Sequence, residues 1–171
     1  FELENMLTTP QLETRIRFLL IAFILGMIAS GVTAFPLLYE TKLVASWLNI
    51  DGALPYSEYA GLKYWIARIL EGLSVTYAKY PFIAYGTDWL AFAHIAIAVF
   101  FIGPIIDPVR NVWVVEAGLI ACVGVIPLAM IAGHFREIPF FWRCIDSSFG
   151  VVGFIPLWLC RRYIRQMENV E

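Results

Sequence analysis

The chain has 171 residues, of which 60% are hydrophobic, 16% aromatic and 15% charged; its mean hydropathy is +0.73 and its formal net charge −2. That balance excludes a soluble globular domain, which could not hide so much apolar surface from water. It also excludes a nucleic-acid-binding protein, because the charge is close to neutral and no arginine-rich tract is present.

In chain order, residues 1–14 are short, polar and acidic, with Thr8-Thr9-Pro10 as a helix start. The chain begins with Phe1 rather than Met, which leaves truncation or processing open. The first apolar run, residues 16–38, predicts a transmembrane helix. Within it Gly26, Ser30 and Ala34 recur every fourth position, so short side chains line one stripe where another helix can approach. Pro36 ends or kinks this helix.

Residues 40–88 are too polar to span and too aromatic for an ordinary loop. From Glu58 to Tyr77 the pattern is amphipathic. Leu62, Trp65, Ile66, Ile69, Leu70 and Leu73 fall on one side of a helical wheel, with Lys63, Ala67, Glu71 and Ser74 on the other. Such a helix would lie along the membrane interface, and a shorter piece at residues 43–50 would do the same. Tyr56, Tyr59, Tyr64, Tyr77, Tyr80 and Tyr85, with Trp47, Trp65 and Trp89, suit the headgroup level.

Two further spans, residues 89–106 and 112–133, form a hairpin joined by Asp107-Pro108-Val109-Arg110-Asn111. His94 is the only ionisable side chain in the first of these, and Glu116 with the Cys122 thiol the only ones in the second. Pro104 loosens the last turn of one and Pro127 kinks the other. A fourth span covers residues 147–164, with Arg161 and Arg162 snorkelling to the surface and Gly150 and Gly153 offering close approach. The expected fold is therefore an all-α integral membrane protein: a single membrane domain, 1–171, built as a four-transmembrane-helix bundle with one or two amphipathic interfacial helices between the first and second spans.

Four spans place both termini on one side. Arg15, Arg17, Arg110, Arg161, Arg162 and Arg165 lie there, against Lys42, Lys63, Arg68, Lys79, Arg136 and Arg143 opposite. The totals tie, but the first set lies closer to span ends, which predicts an N-in, C-in protein of a bacterial inner membrane.

Few residues can carry chemistry. His94 would be either a haem ligand or a donor to a quinone, or else a neutral imidazole tying neighbouring helices together, with Ala91 and Ala98 on the same face for a tight contact. A haem held by His94 and His134 is geometrically poor, because their heights above the hairpin turn differ by roughly 15 Å, whereas two axial nitrogens on one iron lie about 4 Å apart. No metal site is expected: Cys122, Cys144 and Cys160 lack ligand spacing, and two histidines cannot build a three-histidine centre. Glu116 is either a proton-relay carboxylate or an ion-pair partner of Arg110, Arg15 or Arg17.

The richest stretch is 134–146, expected as an outer-rim loop. There Arg136 and Arg143 would clamp an anionic headgroup while Phe140, Phe141 and Trp142 hold its tail, or else the aromatics form a plain interfacial belt. His134 with Glu137 or Asp88 supplies acid and base types, without a spacing that specifies a reaction. Three functions follow. The first is a non-catalytic accessory or assembly subunit, embedded in the lipid bilayer and meeting other membrane subunits through Gly26, Ser30 and Ala34. The second is a lipid-, quinone- or haem-binding module near His94, Arg136, Arg143 and Trp142. The third is a membrane enzyme working on a lipid-like substrate through His134, Glu137 or Asp88.

Overall fold

The computed structural model describes residues 9–50, 52 and 54–169, which are helices and short connections without a strand. The elements are α1 (Thr9–Ala34), α2 (Leu37–Trp47), a 3-10 turn at Tyr56–Glu58, α3 (Gly61–Lys79), a 3-10 turn at Pro81–Ala84, α4 (Tyr85–Phe100), α5 (Ile102–Ile106), α6 (Val112–Phe135) and α7 (Phe140–Glu168). Among the described residues, four helical stretches are long and apolar enough to cross a membrane: Thr9–Ala34, Pro81–Ile106, Val112–Phe135 and Phe140–Glu168. Large apolar side chains stand exposed along them, as at Ile120 (74%) and Leu128 (65%). That exposure is costly in water and neutral in lipid tails, so the protein is an all-α membrane protein with four spanning helices. Residues 1–8, including Thr8 of the expected helix start, lie outside the described residues, as do Asp51, Ala53 and residues 170–171.

Two compact units divide the chain: residues up to Gly26 with those from Ile97 onward, and Met27–Ala96. In the first unit α6 and α7 form an antiparallel hairpin whose contacts read like a ladder. Glu116 meets Arg161, Gly118 faces Leu157, Cys122 faces Gly150 and Gly153, and Gly133 faces Arg143. The first half of α1 also runs antiparallel to α7: Arg15 lies over Tyr163, and the Cys160 thiol donates to the Ile16 carbonyl at 3.8 Å. The starts of α1 and α6 and the end of α7 therefore share one end of this unit. Its core sits at that end, where Leu12, Ile16, Leu20, Val115, Leu157, Cys160 and Ile164 are buried.

Backbone proximity is what the glycines supply. A Cβ on Gly150 would collide with the Cys122 carbonyl oxygen, and one on Gly153 would lie 3.0 Å from Cys122 Sγ and 3.3 Å from the Phe23 ring. Without lipid-excluding hydrophobic force between spans, such close packing is what holds helices together. The hairpin turn is equally specific: Asp107 Oδ1 accepts from the Arg110 amide at 3.0 Å, and Asn111 Nδ2 donates to the carbonyls of Gly103 at 3.2 Å and Asp107 at 3.0 Å.

In the second unit the end of α1 meets α4 at Gly31, where a Cβ would sit 2.8 Å from the Ala91 carbonyl oxygen and 3.1 Å from His94 Cβ. α1 ends at Ala34, two residues before Pro36, as expected; α2 then starts at Leu37, six residues earlier than the predicted piece. Asn49, at φ 54°, closes α2 with Ile50 N donating to Ala45 O at 2.9 Å. α3 packs on α2, but its buried residues are Trp65, Ile66 and Ala67, while Leu62 is exposed. Ala67 was assigned by the wheel to the polar side. It is nevertheless buried beside Trp65 and Ile66, so the packed face of α3 holds a short side chain from the polar side as well as two of the large apolar ones.

The stretch 134–146 departs most from expectation. α6 continues through Pro127 to Phe135 and α7 begins at Phe140, leaving only Arg136–Pro139 between them. Glu137, at φ 57°, ends α6: the amide of Ile138 donates to the Gly133 carbonyl at 2.9 Å, and that of Glu137 to His134 at 3.2 Å. Pro139, extended at ψ 144°, then starts α7. The polar residues that suggested a loop are accommodated within the helix, where Ser147 donates to the Arg143 carbonyl at 2.8 Å.

Candidate functional site

The rim between α6 and α7 gathers His134, Arg136, Glu137, Trp142 and Arg143 within one helix-turn-helix corner. His134 stands exposed in the last turn of α6, its ring 5.7 Å from that of Phe135. Trp142 is half-buried in the first turn of α7 and meets Phe141 edge to face at 6.4 Å. Glu137 occupies the left-handed position that closes α6, which gives its presence a backbone reason beside any chemical one.

The two arginines do not form a pair of jaws. Arg143 is half-buried and turned into the hairpin: its Cγ and Cδ cover Gly133, Nη1 donates to the Met130 carbonyl at 3.2 Å, and its guanidinium lies 5.4 Å over the Phe140 ring. Its Nε is buried without a partner, a cost that the packing of the stem must offset. Arg136, in contrast, is exposed and lies at the end of an open groove of about 510 Å³ on α6, together with Pro127, Leu128, Ile131, Ala132 and Phe135. Sequence reasoning missed this groove. Every side of α6 is apolar, so nothing in its residue pattern marks one face as special.

His94 and Asp88 belong to the unit Met27–Ala96. Asp88 is half-buried in the first turn of α4. His94 is half-buried, and its Nδ1 lies 2.8 Å from the Leu90 carbonyl oxygen, one turn back on its own helix. A carbonyl only accepts, so Nδ1 carries the proton and a neutral ring keeps Nε2 as an acceptor. The tight helix contact expected beside His94 is present at Gly31 and Ala91. A second groove, of about 520 Å³, lies between α2 and α3 and brings Lys42, Tyr56, Glu71 and Ser74 to one surface.

Glu116 does pair with an arginine, though not with Arg110, Arg15 or Arg17. Arg161 Nε donates to its Oε1 at 2.7 Å, and Nη1 of the same arginine reaches Glu168 Oε2 at 3.3 Å. Arg161 was expected only to snorkel; its bridging role follows from the antiparallel register of α6 and α7. A double-mutant cycle on Glu116→Gln and Arg161→Gln should give a coupling energy below about 1 kcal/mol, since Glu116 is 47% exposed. Coupling of Glu116 to Arg110 instead would contradict the pairing. Among the described residues no three His, Cys, Asp or Glu side chains come together as a metal site would require. Comparison of the chain with protein-family models, with curated proteins and with solved structures returned no match.

Proposed function

We propose that this chain is a non-catalytic, multi-pass subunit of a larger membrane assembly, lying N-in and C-in in a bacterial inner membrane. The observation that carries this reading is the open small-residue face of α1. Around Gly26 nothing lies within 4 Å of where a Cβ would stand, and Ser30 is exposed. The close helix contact on this element is made instead by Gly31. Gly26 and Ser30 thus keep a surface on which a further helix can pack closely. The ionisable residues also fit a scaffold: Glu116 is tied to Arg161, Arg143 to the Met130 carbonyl and His94 to Leu90.

The test is site-directed photocrosslinking of the full chain in its native membrane, with Cys144→Ser as background and a benzophenone maleimide at Ser30→Cys or, on the far side of α1, at Val32→Cys. A discrete protein adduct from position 30 and none from position 32 is expected. Lipid adducts alone, or equal protein adducts from both positions, would sink the proposal.

A second reading rests on His94. With Nδ1 donating to Leu90, Nε2 of the neutral ring is an acceptor, which fits ligation of a haem iron or acceptance of a quinol proton and not the donation to a quinone carbonyl expected from the sequence. A Soret band or a stoichiometric quinone that disappears in His94→Leu would favour it over the scaffold.

A further inference from the structure

The open groove on α6 has about the length of a lipid chain in one leaflet. From Pro127 to Arg136 the helix rises roughly 14 Å, close to half of the ~30 Å hydrocarbon thickness of a bilayer. Its lining is apolar except at one end: Pro127, Leu128, Ile131, Ala132 and Phe135 lead to the exposed Arg136. Ala132 keeps the groove open, because its short side chain stands one turn from both Leu128 and Arg136. The Arg136 guanidinium makes no ion pair among the described residues, and Arg143, the other expected jaw, is committed to Gly133 and Met130.

We propose that this groove binds a single anionic phospholipid, one acyl chain lying along Ala132 and the phosphate meeting Arg136. Arg136 is the one charged residue lining the groove, and the open apolar surface that leads to it matches that ligand in charge and in length. A polar substrate would find no second hydrogen-bonding group in the channel, and a partner helix would bury the Arg136 charge. This site is independent of the α1 face on which the proposed assembly role rests.

Native mass spectrometry of the detergent-purified full chain, given equimolar phosphatidylglycerol and phosphatidylcholine, tests the proposal. The wild type should retain a phosphatidylglycerol adduct in preference. Arg136→Gln should cut that preference about fivefold, the effect of removing one cation worth about 1 kcal/mol near a lipid surface. Arg162→Gln, which removes an exposed arginine from another helix, should leave it unchanged. Ala132→Phe, which fills the groove and leaves the charge, should lose the adduct while keeping the wild-type helical circular dichroism. Equal losses in Arg136→Gln and Arg162→Gln, an adduct that survives Ala132→Phe, or no preference in the wild type would each overturn the site.

Discussion

Gly150→Val is expected to destabilise the α6–α7 hairpin by about 3 kcal/mol, at the upper end of what overpacking costs. The new Cβ would occupy the space of the Cys122 carbonyl oxygen, a backbone atom that no rotamer change can move. Relief requires the two helices to separate, and separation also loosens Gly153 from Cys122 and Leu157 from Gly118. Gly124→Val on α6 is the matched comparison. There nothing lies within 4 Å of the new atom, so the same substitution should change stability by less than about 0.5 kcal/mol. Reversible unfolding of both variants in mixed micelles measures the difference. Equal midpoints would mean that α6 and α7 do not meet at Gly150.

The second large effect concerns Arg143, where charge and stem can be separated. Arg143→Ala should cost about 2–3 kcal/mol, because it strips the Cγ and Cδ that cover Gly133 and opens a void in the hairpin. Arg143→Met keeps most of that volume and removes the buried, unpartnered Nε together with the bond to Met130. Its loss should stay near 1 kcal/mol or below, since an unsatisfied buried donor disappears with the charge. A headgroup clamp predicts the reverse order of importance: both variants would lose bound anionic lipid alike, with little change in stability. The pair of substitutions therefore decides between a structural arginine and a ligand-binding one.

Much of the membrane architecture was legible because lipid imposes a simple rule: a long apolar run must be helical to satisfy its backbone. The number of spans, the end of α1 before Pro36, and the hairpin turn at Asp107–Asn111 all follow from runs and their punctuation. The expected close approach at Gly150 and Gly153 was legible as well, since only glycine leaves room for a neighbouring backbone. The corner between α6 and α7 was not. Arg143 and Asp146 have loop-like composition, yet both lie within α7, where Arg143 turns inward over Gly133, so polarity gave the wrong boundary.

The same distinction explains the site. By itself the sequence determined that this chain lives in a bilayer, that it crosses four times, and that very few ionisable groups lie within the spans. Only the tertiary structure decided which stripe of small residues is covered and which is open, that Glu116 is held by Arg161, and that Arg136 and Arg143 have separate tasks. Hydrophobicity is a property of each residue and can be read along a line. Register between two antiparallel helices depends on which backbones can touch, and on helices that are apolar all round the linear pattern does not encode it.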